Sequence, residues 1–145
     1  MFTPFSALSA DISGEARVVD GDTIWIEGTK IRLHGIDAPE TEQTCVDGGG
    51  NEYPCGERAT KALTEIIGNN HVRCEGDQRD RYGRLIATCY VDGTDINAEM
   101  VLQGWALAYQ RYSKDYVDEE ARAMDDHAGM WLGEFLTPWD WRKAK

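Results

Sequence analysis

Apolar and polar positions alternate in short bursts over the first third of the chain. The runs Glu15 to Val19 and Thr23 to Glu27 read as two strands around Asp20-Gly21-Asp22. Asp-Gly between two β-prone runs is a hairpin signal. Gly28-Thr29 turns the chain into a third strand, Lys30 to Ile36, so the first three strands form a meander. Asp37-Ala38-Pro39-Glu40 ends that strand, because proline has no N–H to give to a ladder.

Helical spacing begins after a polar, glycine-rich loop that runs to Pro54. Ala59, Ala62, Leu63, Ile66 and Ile67 share one helical face, and Gly68-Asn69 stops it. His71 to Glu75 and Leu85 to Val91 return to a strand pattern, joined by an arginine-rich loop. Ile96 to Gln103 reads as a short helix closed by Gly104. Val117, Ala121, Met124 and Ala128 outline a last helix, with Ser113 or Asp115 as its cap and Gly129 as its stop. Three strands, a helix, two strands and two helices match an α+β fold: a five-stranded OB-type β-barrel with three helices. Such barrels often bind oligonucleotides, but a fold alone does not give a function.

The 145 residues fit one domain. Residues 1–13 are expected as a flexible extension, and 132–145 as a tail whose Trp139-Asp140-Trp141 packs back on the domain. No stretch approaches the length of a transmembrane helix, so no membrane insertion is expected. The start, MFTPFSALSA, lacks a basic region and is too short for a signal peptide; it reads as the stump of a trimmed one.

Charge complicates a nucleic-acid reading. Lys+Arg is 15 and Asp+Glu 26, a formal net charge of -11, whereas phosphate binding usually rests on Lys and Arg. The excess is uneven. Lys30 to Arg84 holds 8 basic and 10 acidic residues, while Asp92 to Asp126 holds 3 and 9. The second run reads as a solvated helix face. A polyanion would therefore bind locally, through a few arginines.

Four cysteines, Cys45, Cys55, Cys74 and Cys89, contain no C-x-x-C pair, which speaks against zinc. An even count in a small acidic domain suggests two disulfides and an oxidising compartment, secreted or periplasmic. The alternative is four thiols, two buried and two exposed, in a cytosolic protein.

Four segments can carry chemistry. Asp20-Gly21-Asp22-Thr23 taken alone is a turn. Arg32 to Glu40, RLHGIDAPE, puts one cation and two carboxylates near one strand end. Strict alternation sets residues 32 and 37 on opposite faces, so the strand must bulge or end before Asp37; Gly35 and Pro39 allow that. Arg81-Tyr82-Gly83-Arg84 taken alone is a solvated hairpin loop, and Tyr109 and Tyr112 are packing aromatics. Together the segments suit phosphodiester hydrolysis, which needs a divalent ion, an attacking water and positive donors for the charge on phosphorus. Asp22 and Asp37 supply hard oxygen ligands for Ca²⁺ or Mg²⁺. Glu40 is placed to orient or deprotonate water, and Arg32 and Arg84 can fork onto phosphate oxygens.

The segments Gly21-Asp22-Thr23, Arg32…Asp37-x-Pro39-Glu40 and Tyr82-Gly83-Arg84 resemble, in order and spacing, the active-site signature of the staphylococcal nuclease (thermonuclease) family. Gly93-Thr94-Asp95-Ile96-Asn97 and Gly104 to Tyr109 are similar to its later segments, so the resemblance runs from about Glu15 to Trp131. It implies Ca²⁺ held by the carboxylates of Asp22 and Asp37 and the carbonyl of Ala38, where the family often has threonine. It implies Glu40 acting on the attacking water, Arg32 and Arg84 on the phosphate, and Tyr82, Tyr109 and Tyr112 lining the nucleotide pocket. It also implies preferential cleavage of single-stranded DNA and RNA to 3′-phosphate ends, and nothing asks for more than a monomer. In that barrel the strands around Cys74 and Cys89 are antiparallel neighbours that a disulfide can cross. Cys45 and Cys55 then close the loop Thr41 to Gly56, an addition to the staphylococcal enzyme. That enzyme is basic where this chain is acidic, which suggests slow turnover or short substrates. The alternative function is a non-catalytic OB-fold module that binds nucleic acid, or a Ca²⁺-dependent interaction module.

Overall fold

A computed structural model describes residues 10–145. Eleven strands and four helices follow in chain order: β1 Ala10–Gly14, β2 Ala16–Asp20, β3 Thr23–Ile26, β4 Thr29–Leu33, β5 Ile36–Asp37, β6 Cys45–Val46, β7 Glu52–Tyr53, α1 Cys55–Ile67, β8 Val72–Arg79, β9 Leu85–Val91, β10 Thr94–Asp95, α2 Ile96–Leu102, β11 Leu107–Ala108, α3 Val117–Asp125 and α4 Pro138–Ala144. A 3-10 turn covers Gly129–Leu132. The main sheet runs β1-β8-β9-β4-β3-β2, with β10 added to β9. All its pairs are antiparallel except β4 with β9, which run parallel from Ile31↔Leu85 to Leu33↔Ala87.

The alternating pattern becomes the core. Ile24, Ile26, Ile31, Leu33, Leu85, Ala87, Cys89 and Val91 turn to one face and are buried against Ala59, Ala62 and Leu63 of α1 and Ile96, Met100 and Val101 of α2. Each large aliphatic side chain buried this way contributes about 1.5–3 kcal/mol. The sheet curls on itself: a Cβ on Gly14, at the end of β1, would lie 3.2 Å from Ile26 Cγ2. The result is the OB-type α+β fold.

The fold departs from the sequence pattern in several places. β1 pairs Ala10–Gly14 with Gly76–Val72, so part of the supposed N-terminal extension is an edge strand. Its pattern is faint because Ile12 is its one large apolar side chain, and that is only half-buried. Residues 1–9, most of the supposed signal stump, lie outside the described residues. The third strand ends at Leu33, and β8 runs past Glu75 to Arg79 across a bulge. A fourth helix, α4, is capped by Thr137, whose side chain accepts from Asp140 N, with Pro138 in its first turn. On α3 the fully buried position is Ala123, while Ala121 and Met124 are exposed. Glu120 takes an inward place because its carboxylate accepts the Ala108 N–H at 2.9 Å. Neither Ser113 nor Asp115 caps this helix; Tyr116 stands at its N-cap without a side-chain bond.

Both disulfides form. Cys74–Cys89 joins direct partners of β8 and β9, and Cys45–Cys55 ties the inserted loop to the first residue of α1. Around the second bridge sits a smaller apolar cluster of Leu107 and Met130, flanked by Tyr53, Trp105, Trp131, Phe135 and Trp139. The tail packs here through Trp139. No helix among the described residues is long and apolar enough to cross a membrane.

Candidate active site

The acidic half of the site is set by close backbone approaches. The β2–β3 turn lies so near the end of β5 that a Cβ on Gly21 would sit 2.7 Å from the Ala38 Cβ and 2.9 Å from the Ala59 Cβ. Only glycine fits, and the approach lets Ala38 N donate to Asp22 Oδ2 at 2.8 Å. After β4, His34-Gly35 turns the chain, with Gly35 at φ +79°. β5 then pairs with β11 through Asp37↔Leu107. The strand thus ends before Asp37, and Arg32 and Asp37 meet. Arg32 Nη1 stands 3.4 Å from Asp22 Oδ2 and Nη2 3.6 Å from Asp37 Oδ1. Glu40 follows where α1 presses on the chain: a Cβ on Gly56 would collide with the Glu40 carbonyl. Gln43, fully buried, accepts the Glu40 N–H at 3.3 Å and donates to Leu136 O at 2.9 Å.

Burial governs the charges here. Asp37 is 1% exposed, and burial raises its pKa to about 6, with Asp22 adding to the rise against Arg142 and Arg32. At Asp22 burial also favours the neutral acid, but Arg32 and the Ala38 N–H outweigh it and lower the pKa. Asp20 is raised to about 7 by burial and by the Asp22 charge. Asp22 is therefore the member of that pair that keeps its charge. Burial works against the Arg32 cation, and Asp22 and Asp37 reverse that, raising its pKa.

The arginine half hangs on Asp80. Its carboxylate accepts from Tyr82 N at 2.9 Å, Arg84 N at 3.0 Å and Arg84 Nε at 2.7 Å. Burial would raise the Asp80 pKa, but these bonds lower it. Arg81 and Arg84 flank the Tyr82 ring at 5.1 and 5.5 Å, and that ring is 69% exposed. Arg84 forms its ion pair with Asp80, not with Asp22, Asp37 or Glu40. Tyr109 is fixed by its N–H to Gly35 O at 2.9 Å; Tyr112 meets its ring edge-on at 4.9 Å and is itself 69% exposed.

The family model described as staphylococcal nuclease homologue matches residues 30–132, well over half of the chain. This chain belongs to that family. Relatives of this nuclease homologue include the succinoglycan biosynthesis protein ExoI of Rhizobium meliloti, 37% identical over 92% of this chain and 72% of its own. An uncharacterized endonuclease of Haemophilus influenzae is 34% identical over 100% of this chain and 82% of its own. A micrococcal nuclease of Shigella flexneri is 32% identical over 93% and 83%.

Three residues of this nuclease homologue shape the site without a legible signal of their role. Arg142, on α4 and beyond the matched span, forks onto Asp37 with Nη1–Oδ1 at 3.1 Å and Nη2–Oδ2 at 2.8 Å, and Nη1 reaches Glu40 Oε2 at 2.8 Å. Gln43 ties the Glu40 turn to the tail. Asn97, fully buried, accepts from Cys89 N at 3.2 Å and donates to His34 O and Ala87 O at 3.0 and 3.1 Å, which holds the turn before β5. Asn97 falls in a segment that resembles the family; Gln43 and Arg142 fall in none.

The donors around Asp37 suit a hard cation. They are all oxygens, and the arginine fork on Asp37 and Glu40 shows that the pocket takes positive charge. The set is sparse: among the described residues no three His, Cys, Asp or Glu side chains form a ready metal cluster.

Proposed function

We propose that this nuclease-family protein is a Ca²⁺-dependent phosphodiesterase that hydrolyses single-stranded DNA and RNA, internally and from ends, to 3′-phosphate products. The observation that carries the reading is Arg32 set between Asp22 and Asp37, 3.4 and 3.6 Å from their carboxylates. A phosphate recognised by a guanidinium and a hard cation recognised by two carboxylates need that juxtaposition.

Asp22 and Asp37 would hold the ion through their carboxylates and Ala38 through its carbonyl. When bound, the ion polarises a phosphate oxygen and makes a coordinated water more acidic. Glu40, one third exposed at its side chain, faces solvent and takes the proton of the attacking water at its carboxylate. Arg32 forks onto a non-bridging phosphate oxygen from the barrel side. Arg84 does so from the β8–β9 loop and offsets the charge that builds up on phosphorus. Tyr82, Tyr109 and Tyr112 offer ring surface to the flanking nucleotide. Two disulfides support a secreted or periplasmic location. In this reading the working unit is a monomer.

The decisive experiment is hydrolysis of single-stranded DNA and RNA by the folded protein at low salt and mildly alkaline pH, with Ca²⁺ or with excess EGTA. Calcium-dependent release of 3′-phosphate ends is the expected outcome. Tight oligonucleotide binding without cleavage under Ca²⁺, Mg²⁺ or Mn²⁺ would instead make the protein a binding module.

A further inference from the structure

One short helix covers both the acidic half of the site and the Tyr109 ring. α4 carries Trp139 and Arg142 three residues apart, on one face. The Arg142 fork lies on Asp37, which is assigned above to the ion, and reaches Glu40, which is assigned to the attacking water. Trp139 lies flat on Tyr109, ring centroids 5.1 Å apart and planes 6° from parallel. That is the geometry a nucleobase takes on an aromatic ring.

Apart from these contacts, the helix is anchored by the packing of Trp139 against the smaller apolar cluster. It has seven residues, too short to persist alone in water, and only Pro138 is fully buried. The segment before it is anchored, through Phe135 in the smaller apolar cluster and Leu136 O on Gln43. The boundary at Thr137 can therefore act as a hinge. An open cleft of about 630 Å³ borders α4, lined by Tyr109, Arg111, Glu120, Trp139, Arg142 and Lys143.

We propose that α4 is a built-in occupant of the active site: Arg142 takes the cation's place on Asp37 and Glu40, Trp139 takes the base's place on Tyr109, and ligands must displace the helix. This rests on the function proposed above. The closed form lowers apparent affinity for the cation by the fraction of molecules that are open. Because cation and nucleotide displace the same helix, each assists the other's binding.

Calorimetric Ca²⁺ titration of the full chain tests the idea without reference to turnover. Arg142→Ala is expected to bind Ca²⁺ about tenfold more tightly than the native protein. Arg122→Ala removes one positive charge from an exposed part of α3 and is expected to change affinity less than twofold. Backbone hydrogen exchange over 138–144 is expected to accelerate when the native protein is saturated with Ca²⁺. With Ca²⁺ present, Trp139→Ala is expected to bind a deoxynucleoside 3′-phosphate more tightly. Equal or weaker Ca²⁺ binding by Arg142→Ala, exchange unmoved by Ca²⁺, or weaker nucleotide binding by Trp139→Ala each overturns the proposal and leaves the nuclease reading standing. If the native protein binds no Ca²⁺ and behaves like Asp37→Asn, the cation assignment and the occupant helix fall together.

Discussion

The two halves of the site are built in opposite ways. Asp22, Asp37 and Glu40 are positioned by close packing of the chain, at Gly21 against the Ala38 and Ala59 methyls and at Gly56 against the Glu40 backbone, and by the buried amide of Gln43. Arg84 and Tyr82 are positioned by one carboxylate, Asp80, at the tip of an exposed hairpin. The acidic half is part of the core, so changes there couple activity to stability. The arginine half is an appendage, and there the two separate. A rigid half can fix an ion while a pliant half follows the phosphate through the reaction.

The sharpest test of this contrast is Arg84→Lys. It is expected to lower kcat about 10³-fold with little change in melting temperature, because lysine cannot reproduce the planar fork. Near-native turnover would remove Arg84 from the site. Glu40→Gln keeps the shape and removes the proposed base; single-turnover rates are expected to fall about 10²-fold. A loss of only a few-fold would leave Glu40 a positioning role. Asp80→Ala frees the loop without touching the acids. About a tenfold fall in kcat is expected, with a stability change of about 1–2 kcal/mol, the scale of a partly buried, hydrogen-bonded ion pair. A large drop in melting temperature would mean that the loop is part of the core after all.

The smallest effect is in pH. The Asp80 pKa is held below its ordinary 3.8 by the Arg84 and Tyr82 bonds. A depressed carboxylate stabilises the fold above its unfolded pKa, and that contribution is lost as pH falls through the lower, folded value. Exchange protection at 80–84 is therefore expected to fade below about pH 4, and Asp80→Asn is expected to flatten that dependence. Loop protection that survives to the acid unfolding point would show that Asp80 does not hold it.

Much of this was readable in the sequence because it is local. Asp-Gly turns, the apolar alternation of β3, β4 and β9, and the run from Arg32 to Glu40 lie within a few residues of the partners that give them meaning. What escaped is long-range or polar. Arg142 is an ordinary tail arginine until the fold places it 105 residues back along the chain, on Asp37. β1 has almost no apolar face and exists because β8 offers it an open edge. The inward face of α3 departs from the apolar pattern because the Glu120 carboxylate turns in to accept the Ala108 N–H. α4 is the instructive middle case: Thr137-Pro138 is a recognisable helix start, hidden by the absence of a periodic run behind it.

The parallel pairing of β4 with β9 has a consequence for how the chain is made. Its partners, from Ile31 and Leu85 onward, lie more than fifty residues apart. A ribosome must deliver the chain through β9 before β4 loses its open edge, and β1 waits for β8 in the same way. Folding dominated by such distant pairings is slow, and unpaired strand edges invite association with other chains. A nascent chain of this kind stays open for longer than a helical bundle would. Once oxidation joins Cys74 to Cys89 across the completed β8–β9 pair, that route back to an open chain is closed.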